Sequence, residues 1–308
     1  MNDSEMEQLI TRLQAPSTGE RMQAIQALGK SRDTRAIQPL IGVLSDKAVI
    51  LRTAAVSALT GMGEPAADAL IMALHDEDDI VRTGAAKILG AIGGTQVSQA
   101  PQIALMDDDN RVRALAAEGL GTIGDVASVD ALLGALHDAD KQVVVRVVTA
   151  LGKLRAVEAV EPLIRLVMIQ HDMLRHMAVW SLGQIGDARA VPAILQALVE
   201  DCQTHAIDLG TNEGDFVGRL GGHDAAGDAN RAEVEVAALA KIGQPALVPL
   251  LSILPKAKPS VRAYVLMGIA QIDPAEGLIA STIALDDSDP LVRHVASQLH
   301  RRLSPPQD

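Results

Sequence analysis

The sequence predicts an all-α protein, a solenoid of about nine paired helices, and three observations carry this prediction. One phrase recurs along the chain with a period of about 31 residues. Apolar residues within each copy return at helical spacing rather than at the alternating spacing of strands. Aromatic residues make up 1% of the chain and hydrophobic residues 48%. The core must therefore be built from Ala, Leu, Val, Ile and Met, which favours helices.

Four copies of the repeated phrase are especially clear. They read LRTAAVSALTGMG (51–63), VRTGAAKILGAIG (81–93), VRALAAEGLGTIG (112–124) and LRHMAVWSLGQIG (174–186). The leucine near the end of the phrase aligns with positions 28, 59, 89, 120, 151, 182, 239, 269 and 300. Neighbouring positions are 30 or 31 residues apart, except for one gap of 57. We therefore expect nine units in a single domain over 1–308, with an insertion at 203–230 in the seventh unit.

Each unit contains two helical segments. The first is an apolar stripe that ends in acidic residues, as in DALIMALHDEDD (68–79). The second carries an Arg, followed by small residues such as Ala85 and Ala86 that let neighbouring helices approach closely. Glycines that can end the second helix with left-handed backbone follow it at Gly63, Gly93, Gly124, Gly186 and Gly243.

These units resemble the HEAT repeat family, particularly its short phycobilisome-lyase-like subtype, whose units read D-x-x-x-x-V-R-x-x-A-A-x-x-L-G-x-I-G. The resemblance covers nearly the whole chain and implies a right-handed superhelix of helical hairpins. It also implies a structural ladder in which an Asp of each repeat pairs with the Arg six residues later. The matching pairs are Asp46 with Arg52, Asp76 with Arg82, Asp107 with Arg113, and Asp287 with Arg293. Such a fold says little about function, because solenoids host many unrelated roles.

The ladder pattern is complete in repeats 2 to 4 and interrupted from repeat 5 to repeat 8. Val144 and Ala232 stand where Arg is expected, and Ile169 and Lys256 stand where Asp is expected. A regular solenoid mostly packs against itself, so departures from its own pattern mark the places where function is expected.

The insertion and the helix after it hold two further candidates for a contact site. Phe216 supplies an apolar anchor in an otherwise Gly-rich and acidic segment. Glu235 stands in a column that elsewhere holds Ala or Val, and we expect it to be buried. A buried carboxylate needs a partner. Arg231 or Arg262 could supply a salt bridge, and the other interpretation is an acidic ligand that meets the insertion.

The candidate partner-binding groove lies in repeats 5 to 8. In HEAT proteins the second helices line the concave face, and the resemblance implies that this face carries Arg146, His176, Met177, Trp180, Tyr264 and Met267. Aromatic residues, Met and Arg are typical of binding hot spots. We therefore expect a protein or peptide partner, with the alternative that Trp180 and Tyr264 fill gaps between repeats.

Composition excludes several other classes of function. The net charge of −12 argues against nucleic-acid binding. The single cysteine, Cys202, cannot form an internal disulfide or a four-thiolate zinc site, which fits a reducing compartment. The N-terminal MNDSEMEQ contains no apolar targeting segment, and no stretch is apolar enough to cross a bilayer. The sequence predicts a cytoplasmic monomer without a cofactor or a membrane partner.

The chain contains no established catalytic motif, so we expect a non-enzymatic protein. It lacks the His-Glu dipeptides that serve as metal ligands in the HEAT-like enzyme deoxyhypusine hydroxylase. Two alternatives stay open. By resemblance to the phycobilin lyases, Trp180, Tyr264 and His176 could contact a planar chromophore or cofactor. A metal ion could also bind near the insertion through Cys202, His205 and His223, which are residue types suited to zinc or iron.

Overall fold

The computed structural model of the chain describes residues 1–93, 99–169, 173–204 and 231–304, apart from the side chains of 99–101, 203, 204 and 231. These residues are helical, with short turns and no strand among them. They form two compact units, Met1–Leu154 (unit 1) and Arg155–Asp308 (unit 2). The predicted all-α repeat fold is confirmed. The prediction of a single domain over 1–308 stays a prediction.

The α-helices of the described residues come in successive pairs, in which the first helix is usually shorter than the second. Unit 1 contains α1 (Asp3–Arg12), α2 (Thr18–Ser31), α3 (Ile37–Gly42), α4 (Val49–Met62), α5 (Ala67–Ala73), α6 (Asp79–Ile92), α7 (Gln99–Ala104), α8 (Asn110–Ile123), α9 (Val129–Ala135) and α10 (Lys141–Lys153). Unit 2 contains α11 (Val160–Ile169), α12 (Met173–Ile185), α13 (Val191–Thr204), α14 (Arg231–Ile242), α15 (Gln244–Ile253), α16 (Pro259–Ile272), α17 (Pro274–Ala284) and α18 (Pro290–Leu303). The pair α13 and α14 departs from the rule of a longer second helix. We number the repeats by these pairs, so that α1 and α2 form repeat 1 and α17 and α18 form repeat 9.

Within each unit, a second helix packs against the first helix of its own repeat and against the second helices of neighbouring repeats. The repeated leucine lies at this junction, and Leu28, Leu59 and Leu120 are fully buried. Burying one such side chain contributes about 1.5–3 kcal/mol, so the repeat pattern itself supplies the core. None of the described helices has both the length and the apolar character needed to cross a bilayer.

Glycines bring two second helices into backbone contact. A Cβ atom added to Gly90 in α6 would lie 2.7 Å from the Cα atom of Gly119 in α8. No side chain fits at this distance, so the two helices meet along their backbones. This contact is one example of the close approach that the small residues of the repeat predict.

The second helices end where the glycine pattern predicts. The five predicted glycines have positive φ angles between 71° at Gly63 and 79° at Gly243, a region that costs residues with a side chain about 1–2 kcal/mol. Repeats 1 and 5 have Arg32 and Arg155 at the same position, with φ angles of 51° and 52°. These two repeats therefore end in a strained conformation that the others avoid.

The Arg–Asp ladder exists, but it joins neighbouring repeats instead of closing within one. Arg113 donates from Nε to Oδ2 of Asp138 at 2.6 Å and from Nη2 to Oδ1 at 2.9 Å. Its third donor, Nη1, bonds the backbone carbonyl of Asp107 at 2.7 Å, while the carboxylate of Asp107 accepts from Arg82. The predicted side-chain pairing of Asp107 with Arg113 is therefore wrong.

The other predicted pairs need the same correction. Arg52, Arg82 and Arg293 donate to the backbone carbonyls, not the carboxylates, of the residues six positions earlier. The carboxylates of Asp46 and Asp287 instead bind the preceding arginines, Arg21 and Arg262. The reason is local, because each ladder carboxylate also accepts from the backbone N–H two residues later, which directs it away from the arginine of its own repeat.

This register extends the ladder further than predicted. Asp138 in repeat 5 accepts from Arg113, and Glu200 in repeat 7 accepts from Nη2 of Arg175 at 3.0 Å. The missing members now fall into matched pairs along the sequence. Val144 precedes Ile169 by 25 residues, the separation of Arg113 from Asp138, and Ala232 precedes Lys256 by 24 residues. At both places where the ladder arginine is replaced, by Val144 and by Ala232, the acid that it would bind in the next repeat is replaced as well. These replacements therefore leave no arginine facing a missing acid.

Candidate functional site

Glu235 is buried within α14, as its position in the repeat predicts. Its side chain is 0% exposed. The residues of the same column are also fully buried, and they are Ala24, Ala55, Ala85, Ala116, Val147, Ala178, Val265 and Ala296. A carboxyl group therefore replaces a methyl or isopropyl group in the interior of unit 2.

The predicted salt bridge from Arg262 to Glu235 is wrong. Arg262 binds both carboxylate oxygens of Asp287, at 3.0 and 2.6 Å. The side chain of Arg231 lies outside the described residues. Within the described part of the chain, neither carboxylate oxygen of Glu235 has a hydrogen-bond partner. Burial of an unpaired carboxyl group is costly, so this residue calls for a further explanation.

Two other polar side chains meet Glu235 in the interior of unit 2. His176 lies on α12 and Asp201 on α13, and Nε2 of His176 is 3.9 Å from Oδ2 of Asp201. Each of the three residues offers one ligand atom, and these atoms lie within 4.8 Å of one another. We call His176, Asp201 and Glu235 the acid–histidine cluster. It joins three helices that follow one another along the chain.

The unusual length of α13 accounts for the cluster. This helix has 14 residues, whereas α5 and α9 have 7 each. In repeats with a short first helix, the ladder acid sits in a turn, but Glu200 and its neighbour Asp201 continue α13. The extra helical turns bring Asp201 and Cys202, both buried, against α14.

The interior position changes the acid–base properties of the cluster. Burial raises the pKa of Glu235 to about 8, and the negative charge of Asp201 adds to this effect. Burial also raises the pKa of the Cys202 thiol to about 12, with contributions from the charges of Glu235 and Asp201. At neutral pH the thiol is therefore protonated, which makes Cys202 a poor nucleophile in the metal-free protein.

Only part of the predicted metal set falls within the described residues. Cys202 is buried beside the acid–histidine cluster, while His205 and His223 lie outside the described residues, as does the insertion anchor Phe216. Sequence reasoning singled out Glu235 and His176 separately and missed Asp201. The available signal was the acidic pair Glu200–Asp201 at the end of a first helix that lacks the usual turn.

Three of the predicted groove residues are buried instead. Tyr264 is 1% exposed, Met267 is 1% exposed and Met177 is 9% exposed. The predicted exposure of these side chains is wrong. Tyr264 and Met267 lie on α16, against which α13, α14, α15, α17 and α18 all pack, and Met177 lies on α12, which packs against α11 and α14. The segment AYVLMGIA (263–270) is apolar on every side, and this pattern is typical of a helix surrounded by others. With Tyr264 in the core, the planar-ligand alternative loses one of its three contacts.

Of the other predicted groove residues, Trp180 and Arg146 stay accessible, whereas the side chain of His176 is only 14% exposed and points into the acid–histidine cluster. Trp180 on α12 is partly exposed, and Nζ of Lys241 on α14 lies 5.9 Å from the centre of its ring, within range of a cation–π interaction. Val234 and Ala237 on α14 are also partly exposed. Arg146 belongs to unit 1, where its exposed guanidinium pairs with Glu118 at 3.2 Å.

Unit 2 also contains a cleft of about 580 Å³ between α13, the end of α15 and the start of α16. Its apolar lining includes Leu195, Val199 and Val261. Lys256 and Lys258 supply positive charge at the same cleft, and Lys256 stands where the ladder pattern has an acid.

Comparison with known proteins identifies the repeat. A model of HEAT repeats matches residues 6–89, 67–147 and 133–206. No curated protein sequence matches the chain.

Several solved structures are similar in fold. Kap121p bound to Nup53p is 13% identical with a TM-score of 0.62, covering 97% of this chain and 37% of that one. The chain thus spans little more than a third of Kap121p. A protein of E. coli, YibA, is 17% identical with a TM-score of 0.53, covering 87% and 92% of the two chains. The CpcE and CpcF complex of phycocyanin lyase from Nostoc is 20% identical, with a TM-score of 0.39, over 97% and 94%. The repeat model covers more than half of the chain, and the chain belongs to the HEAT-repeat family.

Proposed function

We propose that the protein is a non-enzymatic scaffold that binds a protein or peptide segment on the second-helix face of unit 2. The proposed contact consists of Trp180, Val234, Ala237 and Lys241, which we call the Trp180 surface. The observation that carries the proposal is the partial exposure of Trp180, the only tryptophan in the chain, beside the amino group of Lys241. HEAT repeats themselves indicate a protein-interaction scaffold.

The chemistry of this surface favours a segment with an apolar anchor and an acidic residue. Trp180 and Val234 offer apolar area, and the aligned position of Trp180 in the next repeat is the small Ala237. Lys241 can stay over the indole ring while it pairs with a carboxylate of the partner. Tryptophan is one of the residue types that are enriched at binding hot spots.

The fold supports the same class of partner. Kap121p, which shares the fold, is known in complex with Nup53p and with the extreme C-terminus of the protein phosphatase Cdc14p. Stacked helical pairs present long surfaces of the kind that such segments bind. Arg146 keeps its proposed role as a groove contact in unit 1.

The test begins with purification of the tagged protein from its own host and identification of the polypeptides that accompany it. Each partner is then titrated against the purified full chain, and the emission of Trp180 reports directly on the proposed contact. We expect binding to shift the emission and to protect Trp180 from a soluble quencher. Trp180→Ala, followed by calorimetry, should weaken binding by about 2 kcal/mol, roughly thirtyfold.

Two variants serve as controls. Met72→Ala removes an exposed apolar side chain from unit 1 and should leave the affinity unchanged. Lys256→Glu reverses a charge at the cleft between α13 and α15. If Lys256→Glu weakens binding and Trp180→Ala does not, the segment binds in the cleft and the proposed Trp180 surface is wrong.

A further inference from the structure

The interior of unit 2 contains a set of donors that the scaffold function does not use. Glu235 is fully buried, and both of its carboxylate oxygens lack a hydrogen-bond partner among the described residues. A carboxyl group in this state loses its hydration without gaining a compensating bond. The surrounding column shows that the fold does not need it, because the aligned residues are Ala or Val.

The donors of the acid–histidine cluster converge from three helices. One ligand atom from each of His176, Asp201 and Glu235 lies within 4.8 Å of the other two. Around an ion with bonds of about 2.0–2.2 Å, neighbouring donors are about 3–3.5 Å apart. The widest of the observed separations therefore needs to close by about 1.3–1.8 Å, a distance that side-chain rotations can supply.

The geometry points to a binding site for a divalent transition-metal ion, with His176 Nε2, Asp201 and Glu235 as its three protein ligands. One imidazole and two carboxylates suit Zn²⁺, Fe²⁺ or Mn²⁺ better than Mg²⁺, which prefers oxygen donors alone. This set differs from the one that the sequence favours, because it contains neither His205 nor His223. It also leaves out the Cys202 thiol, which is not among the converging ligand atoms.

The site is suited to a structural role. Its ligands come from α12, α13 and α14 and lie in the interior of unit 2. An ion held there would tie the long first helix of repeat 7 to the second helices on either side of it. The inference does not depend on the Trp180 surface, because binding of the ion is measured without a partner protein.

The test uses the full chain, freed of metal by a chelator and then titrated with Zn²⁺, Mn²⁺ and Mg²⁺ by calorimetry. We expect one equivalent of Zn²⁺ to bind and to raise the melting temperature. Mn²⁺ should bind at least tenfold more weakly, as the usual affinity order of these ions requires, and Mg²⁺ should give no measurable binding. Co²⁺ offers a spectroscopic signature, since its visible absorption reports on a nitrogen and oxygen environment.

Glu235→Ala is the decisive variant, and it restores the residue type of the neighbouring repeats. It should lower Zn²⁺ affinity at least a hundredfold and abolish the thermal shift, while its metal-free form melts above the wild type. This opposite sign separates loss of a ligand from loss of folding. Glu200→Gln alters the adjacent carboxylate, which binds Arg175, and should keep Zn²⁺ affinity within about threefold.

Two results would overturn the inference. One is a wild-type chain that binds none of these ions with one-to-one stoichiometry. The other is Zn²⁺ binding that survives Glu235→Ala but disappears in His223→Ala, which would return the ligands to the set that includes Cys202, His205 and His223.

Discussion

At the scale of single residues, the position that ends the second helix has positive φ both where it is a glycine and where it is an arginine. Five second helices end at a glycine with positive φ, while Arg32 and Arg155 have positive φ at the same position although they carry a side chain. Arg32, with φ of 51° and ψ of 22°, lies in the left-handed region. The left-handed region brings Cβ close to the following carbonyl oxygen. Repeats 1 and 5 therefore carry local strain that a single substitution can remove.

We expect Arg32→Gly to stabilise the protein. The gain should be about 0.5–1 kcal/mol, because relief of about 1–2 kcal/mol of strain is partly offset by the greater freedom of glycine in the unfolded chain. Urea denaturation measures the difference. Gln26→Gly, at an exposed position inside the same helix, should instead cost about 1 kcal/mol. Equal losses in both variants would show that the Arg32 conformation is not strained.

Individual residues of the candidate site differ in how well the sequence predicts them. The buried column of Glu235 follows from the repeat alignment, and the structure agrees. Asp201 could not be predicted in this way, because its burial depends on a first helix that continues where other repeats turn. Tyr264 and Met267 follow the groove columns of the repeat, yet tertiary packing around α16 places them in the core.

At the scale of helices, the ladder shows how sequence separation can mislead. Arg113 and the Asp six residues before it are close along the chain, and they do interact, but through the backbone carbonyl. The carboxylate partner lies 25 residues later, in the next repeat. Spacing within one repeat could not distinguish these two contacts. The matched absence of both partners elsewhere in the sequence is the signal that favours the longer separation.

The ladder contact between Arg113 and Asp138 should stabilise unit 1. Each of Arg113→Val and Asp138→Ile should cost about 1–3 kcal/mol, because either change leaves a part-buried charged group without its partner. The double variant should cost less than the sum by about 1–2 kcal/mol, as measured in a double-mutant cycle. Arg113→Val combined with Asp107→Ile should show much weaker coupling. If Arg113 were instead coupled more strongly to Asp107 than to Asp138, the ion pair would form within a repeat and the register between neighbouring repeats would be wrong.

The same contact has a predictable dependence on pH. The hydrogen bonds from Arg113 lower the pKa of Asp138 in the folded protein. Its stabilising effect is therefore fully present above the unfolded pKa of about 3.9 and is lost as the pH falls through the lower folded value. The stability difference between the wild type and Asp138→Asn should shrink across this acid range.

The backbone contact between α6 and α8 gives a second prediction for helices. Gly90→Ala should destabilise the protein by about 2–3 kcal/mol, because the new methyl group overlaps the backbone of Gly119. Gly61→Ala is the matched control, since a Cβ atom there meets nothing within 4 Å. The control should gain up to about 1 kcal/mol from helix propensity alone. Thermal unfolding followed by circular dichroism distinguishes the two outcomes.

At the scale of the whole molecule, the main packing contacts of the described residues join a repeat to its neighbours. Stability in such an array is close to a sum of repeat and interface contributions, so a defect weakens its surroundings first. The fold class was predictable for the same reason, because the same pattern of two helices recurs about every 31 residues and each copy packs on its neighbours.

Hydrogen exchange of the Gly90→Ala protein tests this locality. We expect faster exchange of the amides in α6 and α8 and in the adjoining helices α4 and α10. The amides of α16 in unit 2 should keep their wild-type protection. A uniform increase in exchange along the chain would mean that the two units unfold as one cooperative body.

The register of the ladder also decides which repeats can be recombined. Because an arginine binds the acid of the following repeat, removing repeat 3 as a whole would bring Arg52 into register with Asp107 and preserve an ion pair. A repeat grafted directly before Ile169 or Lys256 would bring its arginine to a place where no acid receives it. Designers who shuffle these modules therefore have to choose each one together with the module that follows it.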